Sequence, residues 1–387
     1  MQKKEKQLIL IVNYSLLIKN MTLIQNIDSR ELLDSQGNAT LECDVMLECG
    51  ALGRAVAVAD VPNDKRDDDP KRYWGKGVGM ALSNVRDLVA TQLRGMDALN
   101  QAGVDRTLEN LESIGGNSSL AVSLAVAQAA ALAVELPLCR YLGGVNARWL
   151  PNPLVSVAHI VNYSQFGELL LVWRRSSVRF RERLRGCAEI AHAFEEEIGN
   201  RGLRKSIGLH GLEIFDGDER EILDSLRQAM EVAGYTQGDE VSIGLAMPQS
   251  SDQMSPEGRR EGLVDLLKEY PISYVEIDWP DDEITPLMAL PEAQGVTLCG
   301  AAPRSRARRL DLNTEKTLTR LLDHASLYRD SGKTLVVSAL TAGGADDLFA
   351  ADLSVALHAE YARFGSLNRA ESIAKYNQLI RLEESFG

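Results

Sequence analysis

Residues 270–279 read YPISYVEIDW, a short apolar run that ends in the carboxylate of Glu276. Similar runs recur from residue 167 onward, and stretches with helical periodicity separate them. They are GELLLVW (167–173), KSIGL (205–209), EVSIGLAM (240–247), VTLCGA (296–301) and KTLVVSAL (333–340). Apolar strands that alternate with helices indicate a parallel sheet, and this many repeats predict a closed β/α barrel. The residues that follow each strand would then line the active site.

The chain before the barrel has a different pattern. Residues 41–58 alternate apolar and polar side chains around Gly50, which predicts a β-hairpin. Residues 80–93 and 119–136 have the periodicity of buried or amphipathic helices. Strands followed by helices predict a small α+β domain. We therefore expect an N-terminal extension over residues 1–20, an α+β domain over 21–138 and a barrel over 139–387.

The composition excludes several classes of protein. Of the 387 residues 45% are hydrophobic, and the net charge of −13 argues against general binding to nucleic acid. The five cysteines are scattered and form no CxxC pair, which predicts reduced thiols rather than disulfides or a zinc site. The sequence contains no unbroken run of about 18 apolar residues, so it predicts no membrane span. These features favour a cytoplasmic protein.

The first 20 residues superficially resemble a signal peptide because a basic start precedes the apolar run LILIV. Asn13 and Tyr14 interrupt that run, and no small-residue cleavage site follows it. We interpret this segment as an extension that precedes a natural start near Met21.

Three segments resemble the enolase family in the order in which that family has them. They are IDSRELLDSQGNATLECDV (27–45), KRYWGKGV (71–78) and AKYNQLIRLEESFG (374–387). The resemblance spans about residues 27–387. It implies an enolase-type β/α (TIM-like) barrel with a smaller N-terminal α+β capping domain, and a homodimer. For an intact member it also implies Mg²⁺-dependent interconversion of 2-phosphoglycerate and phosphoenolpyruvate.

That chemistry needs several carboxylates around the metal, because Mg²⁺ prefers an octahedral set of oxygen ligands and must stabilise a dianionic enolate. The resemblance places the family's three acidic metal ligands at Ala246, Glu276 and Ala301. Methyl groups do not coordinate a metal ion. We therefore expect no cofactor, and expect Mg²⁺ only if the protein retains an enolase-like activity.

The groups that transfer protons and bind substrate also differ from the family pattern. Leu209 and His210 stand where the family has its acidic pair, and Asp311 stands where it has the catalytic lysine. Arg363 replaces a second lysine, and Glu168 aligns with a family glutamate. The mobile lid is shortened, and the phosphate segment reads SALTAG (338–343).

These differences predict a protein that has lost 2-phosphoglycerate dehydration and acts by binding a protein or a small anion. The alternative is an enolase or related lyase with weak or altered activity around Glu168, His210 and Arg363. A third reading is a subunit that pairs with an active enolase. For Glu276 two interpretations remain: a former metal ligand that now forms a salt bridge, or a ligand in a changed site.

Two arginine-rich segments, WRRSSVRFRERLR (173–185) and PRSRARR (303–309), each follow a predicted strand. If both strands belong to a parallel barrel, both segments begin at the same mouth. They are then either a solvated basic face or an anion site, since arginine binds phosphate and carboxylate through two parallel hydrogen bonds. The connection between Ala302 and Asn313 is short, so a strand or helix is expected to be missing or displaced there.

Overall fold

A computed structural model describes residues 21–57, 61–67, 69–161, 166–209, 211–247, 255–340 and 347–387. Its contacts divide the chain into two compact units. The first comprises the described parts of Met1–Val145, Leu312–His324 and Thr341–Phe349. The second comprises the described parts of Asn146–Asp311, Ala325–Leu340 and Ala350–Gly387.

The first unit contains an antiparallel sheet of three strands in the order β1-β2-β3. The strands are β1 (Ile24–Leu33), β2 (Ala39–Leu47) and β3 (Leu52–Val56). The hairpin predicted around Gly50 is confirmed, because β2 and β3 pair antiparallel with Met46 opposite Leu52. Gly50 has a φ of 85°, and its N–H donates to the Leu47 carbonyl in the turn.

Helices follow these strands, as the sequence predicted. They are α1 (Gly79–Asn84), a π-helical turn (Val85–Val89), α2 (Ala90–Leu93), α3 (Gln101–Asn110), α4 (Gly116–Ala133) and α5 (Leu138–Gly143), and a 3-10 turn (Tyr73–Gly75) precedes them. Helix α4 is long and apolar enough to cross a membrane, but 83% of it is buried, as in the core helix of a folded domain. It packs closely on β3, because a side chain at Gly53 would lie 2.0 Å from the Ala125 carbonyl oxygen.

The second unit is built around a closed barrel of eight strands. The described residues of this region form ten strands, of which β6 and β7 lie outside the ring: β4 (Asn152–Ile160), β5 (Glu168–Trp173), β6 (Lys205–Gly208), β7 (Gly211–Ile214), β8 (Val241–Ala246), β9 (Ile272–Glu276), β10 (Thr297–Cys299), β11 (Ala307–Asp311), β12 (Thr334–Ser338) and β13 (Tyr361–Ser366). The ring order is β4-β5-β8-β9-β10-β11-β12-β13, and β13 pairs with β4 to close it.

Helices separate most of these strands along the chain. They are α6 (Phe180–Asn200), α7 (Glu219–Val232), α8 (Pro256–Glu269), α9 (Asp281–Met288), α10 (Leu318–Asp330), α11 (Phe349–Ala356) and α12 (Ala370–Phe386), with 3-10 turns at Pro291–Ala293 and Leu312–Thr314. The predicted β/α barrel is therefore confirmed. Buried side chains from many strands form its core, namely Leu154, Leu170, Val172, Tyr274, Cys299, Ala307 and Val336.

The expectation that all the barrel strands run parallel is wrong for β5. This strand pairs antiparallel with both of its neighbours, β4 and β8. The physical reason is the connection before it, because residues 161–167 are too few for the crossover that a parallel neighbour needs. The start of β5, rather than its end, therefore lies at the carboxyl-terminal mouth of the barrel.

The run KSIGL was also predicted as a barrel strand, and the structure places it elsewhere. Its residues form β6, which makes an antiparallel hairpin with β7. That hairpin extends the end of β4, where His159 pairs with Glu213. The hairpin therefore lies beside the ring.

The predicted gap near residues 302–313 is corrected in part. No barrel strand is missing, because β11 fills that position and pairs parallel with β10 and β12. A helix is missing, since residues 300–306, all of them described, join two parallel neighbours without one. Such a crossover normally takes a dozen residues or more.

Candidate functional site

The carboxyl-terminal mouth of the barrel brings together residues that are far apart in sequence. Glu168 at the start of β5 pairs with Ala246 at the end of β8, which in turn pairs with Glu276 at the end of β9. On the other side of the ring, Asp311 pairs with Ser338, and Ser338 pairs with Arg363. The two rows place three carboxylates and one guanidinium at the same end of the barrel.

Arg363 is the central residue of this site. Its side chain is 2% exposed and contacts both Glu168 and Glu276. Nη2 donates a hydrogen bond of 2.6 Å to Oε2 of Glu168, and Nε lies 2.6 Å from Oε1 of Glu276 in an ion pair. One planar guanidinium thus joins two carboxylates, which is the geometry that favours arginine over lysine.

Glu276 has further partners besides Arg363. Its Oε1 accepts a hydrogen bond of 2.9 Å from the Tyr274 hydroxyl, and its Oε2 accepts one of 3.2 Å from Nη1 of Arg309. Arg309 also donates from Nε to Oδ2 of Asp311 at 2.8 Å. Both oxygens of the Glu276 carboxylate are therefore occupied by donors of the protein itself.

The charges of the site stabilise one another despite their burial. Burial alone would raise the pKa of Glu168, but the positive charge of Arg363 and a hydrogen bond from Ser156 lower it below its usual value. Burial favours loss of the Arg363 proton, yet Glu168 and Glu276 hold the pKa of that guanidinium above its ordinary value. Glu168 and Arg363 are therefore ionised together at neutral pH.

Tyr274 is bound into this network as a neutral hydroxyl. Burial raises its pKa well above the ordinary value, and the nearby Cys299 and Glu276 raise it further. A tyrosine of this kind donates a hydrogen bond and does not act as a base near neutral pH.

The structure separates the two arginine-rich segments that the sequence placed at one mouth. Residues 173–185 follow the end of β5, and Trp173 pairs with Val241 at the start of β8, so this segment begins at the opposite end of the barrel. There Arg175 forms ion pairs with Asp239 and Glu240. The shared-mouth hypothesis is wrong, because it assumed a parallel β5. From residues 303–309, Arg309 does lie at the site.

Several other residues that the sequence suggested lie at separate places in the fold. Ala301 follows β10, is exposed and donates its N–H to Asp278. Leu209 is exposed beside the β6–β7 turn, and His210 lies outside the described residues. His159 lies on β4 opposite Glu168, and His192 lies on α6.

Sequence reasoning did not single out Tyr274 or Ser156, and it reached Arg309 and Ser338 only as members of the segments 303–309 and 338–343. The alternation of ARRLD (307–311) could have identified Arg309, since it shares a face with Asp311 while the neighbouring Leu310 is buried. Ser156 offered no such signal, because it is one polar residue in the middle of the apolar strand β4.

A cavity of about 500 Å³ opens beside Glu276. It forms because β10 has only three residues, which leaves a gap at the mouth between β9 and β11. Charged and aromatic side chains line this gap, among them Asp278, Arg308, Asp311 and Tyr328.

The residues present do not fit a magnesium ion. The described part of the chain has no group of three or more histidine, cysteine, aspartate or glutamate side chains arranged to hold a metal. Ala246 and Ala301 end in methyl groups, and the Glu276 carboxylate is paired with two arginines. Mg²⁺ prefers about six oxygen ligands at roughly 2.1 Å, a set that this site does not offer.

Comparison with known families agrees with the architecture. Residues 24–142 match the family described as "Enolase, N-terminal domain". Residues 304–387 match the family described as "Enolase, C-terminal TIM barrel domain". The two matches occur in chain order and fall on a three-stranded sheet domain and a closed β/α barrel. The chain therefore belongs to the enolase family.

Proposed function

We propose that this enolase-family protein has lost the Mg²⁺-dependent interconversion of 2-phosphoglycerate and phosphoenolpyruvate. The observation that carries the proposal is the position of Arg363, which pairs with both Glu168 and Glu276. In an active member a metal ion would need the Glu276 carboxylate. Here that carboxylate is already neutralised by guanidinium groups.

The groups available for proton transfer support the same conclusion. Removal of a proton next to a carboxylate needs a base. Asp311 stands at the position where the resemblance places the family's catalytic lysine. Asp311 accepts a hydrogen bond from Arg309 and adds negative charge to a site that should attract an anionic substrate. The reaction would therefore lack both the metal ion that stabilises the dianionic intermediate and the lysine that removes the proton.

The test is absorbance at 240 nm, which follows formation of phosphoenolpyruvate from 2-phosphoglycerate with excess Mg²⁺. We expect no turnover above background. An active enolase, assayed separately under the same conditions as a positive control, should give a clear signal. The matched variant Glu276→Gln controls for contaminating host enolase. Mg²⁺-dependent turnover that Glu276→Gln abolishes would favour the alternative function, a weak or altered lyase.

A specific observation favours a second function, the binding of a small anion. Nη1 of Arg363 and Oγ of Ser338 are buried and have no hydrogen-bond partner among the described residues. These residues pair with each other on β12 and β13, so both groups lie in the same part of the mouth. A buried donor without an acceptor costs free energy, and an anionic oxygen would remove that cost.

Isothermal titration in the presence of a chelator tests this binding. Inorganic phosphate and phosphorylated three-carbon acids are titrated into the wild type and into Ser338→Ala. We expect heat from the wild type at millimolar concentration and weaker binding by the variant. Absence of heat for every anion would reject this second function.

We also propose a homodimer, as the family resemblance implies, with pairing to an active enolase subunit as the alternative. Light scattering after size-exclusion chromatography distinguishes a monomer from a dimer. Purification from the native host then shows whether a second enolase chain accompanies this one.

A further inference from the structure

We infer that Arg363 is a built-in cation that pairs with the carboxylates of Glu168 and Glu276 in place of a divalent metal ion, and that it closes this barrel to such ions. The inference concerns metal binding alone. It holds or fails independently of whether the protein catalyses a reaction, because its test measures bound metal.

The first support is the position of the guanidinium. Its nitrogens lie 2.6 Å from an oxygen of each glutamate. A metal ion that bound both carboxylates would have to lie in the space that these nitrogens fill. The two cations therefore exclude each other.

The second support is that the buried position of Arg363 makes displacement of its side chain costly. Its side chain is buried, and it lies on a barrel strand that pairs with neighbours on both sides. Displacement by a hydrated ion would bury two carboxylates around an incomplete ligand set and would force a buried guanidinium to move. Both changes are costly, since a buried charge without a partner is strongly destabilising.

The third support is the balance of charge. Arg363 and Arg309 contribute two positive charges to a site with the carboxylates of Glu168, Glu276 and Asp311. Two guanidiniums supply about the positive charge of one divalent ion. The three carboxylates thus have two guanidinium partners where a metal-binding site would have a divalent ion.

The experiment compares Mn²⁺ binding by the wild type, Arg363→Met and Arg363→Lys, measured by electron paramagnetic resonance of free Mn²⁺. Methionine has a similar length without the charge, and lysine keeps the charge. We expect no binding at this site by the wild type up to millimolar Mn²⁺, and weaker binding by Arg363→Lys than by Arg363→Met, because lysine keeps the charge but not the fork that contacts both glutamates. We expect Arg363→Met to bind Mn²⁺ at least tenfold more tightly and to be stabilised by it against heat.

The double variant Arg363→Met/Glu276→Gln tests where the gained ion binds, and it should lose the gain. If Arg363→Met binds Mn²⁺ no better than the wild type, the inference is overturned. If Arg363→Met does not fold, the wild type and Glu276→Gln decide the question. Binding that Glu276→Gln removes overturns the inference, and equal behaviour of the two proteins supports it.

Discussion

Nη2 of Arg363 lies 2.6 Å from Oε2 of Glu168, and this bond joins two barrel strands that the sequence separates by 195 positions. Because the same guanidinium also contacts Glu276, it is a counterion both of a buried carboxylate and of the half-buried one of Glu168. We expect Arg363→Met to lower the free energy of unfolding by about 3–5 kcal/mol, the usual effect of removing one partner from a buried ion pair. Urea unfolding followed by circular dichroism measures this loss.

Two further variants test the cause of that loss. Arg363→Met/Glu168→Gln removes one unpaired charge and should recover part of the stability. Arg175→Met removes a half-exposed arginine at the other end of the barrel, where an ion pair contributes less than about 1 kcal/mol. Equal losses for Arg363→Met and Arg175→Met would contradict a special role for the central arginine.

The sequence predicted where individual residues of this site lie, but not which of their side chains contact one another. Glu276 could be located because an apolar run marks its strand, and Arg363 because the resemblance to the enolase family aligns it with a lysine. The contact between them could not, since no pattern records which way a side chain at a strand end points. The direction of β5 was missed for a related reason, because its apolar run looks the same whether the strand runs parallel or antiparallel. Only the short connection before Glu168 carried that information.

A second prediction concerns Gly300, in the connection between β10 and β11. A Cβ atom at this position would lie 1.9 Å from the Ile277 carbonyl oxygen, which belongs to the backbone and cannot rotate away. We expect Gly300→Ala to destabilise the protein by more than about 2 kcal/mol, since a clash with backbone requires the connection to move. Thermal and urea unfolding of the variant measure this.

Gly295→Ala is the matched control for Gly300→Ala. Gly295 has a φ of 82° but open space around it, so alanine there meets backbone strain and no clash. We expect a cost of about 1 kcal/mol for this control. If both variants lose the same stability, the close approach of Gly300 to the Ile277 carbonyl oxygen is not what makes this position intolerant of a side chain.

A third prediction concerns Asp105, a buried carboxylate on α3 of the first unit. It accepts hydrogen bonds from Gln101 and Ser123 and from both the N–H and the hydroxyl of Thr319, at 2.6–2.9 Å. Thr319 lies in the first turn of α10, so the carboxylate caps that helix from a distance. Asp105→Asn should cost about 1–3 kcal/mol, because an amide nitrogen would face donors.

Glu112→Gln serves as the control for Asp105→Asn. It makes the same change from acid to amide at an exposed position just beyond α3. We expect its effect on unfolding to be within about 0.5 kcal/mol. A comparably small effect of Asp105→Asn would show that the network of Asp105 contributes little to the first unit.

The last prediction is a dependence of stability on pH that arises from Asp44 on β2. Arg54 on β3 donates to both carboxylate oxygens of Asp44, at 2.6 and 2.9 Å, and Arg30 on β1 contacts it from the other side. The hydrogen bonds from Arg54 are the main reason that the pKa of Asp44 falls to about 2, with burial opposing them and Arg30 adding to them. A carboxyl group with a lowered pKa stabilises the folded state above its unfolded pKa, near 4, and that contribution is lost as pH falls towards about 2.

We therefore expect the wild type to exceed Asp44→Asn in unfolding free energy by about 1 kcal/mol at pH 7, since both arginines are partly exposed and water screens the pairs. Urea unfolding at a series of pH values should show this difference unchanged from pH 7 to about 4 and shrinking between about 4 and 2. Arg54→Gln should shift the loss to higher pH by removing the main cause of the lowered pKa. A difference that stays constant down to pH 2 would mean that Asp44 stabilises the sheet through its shape rather than its charge.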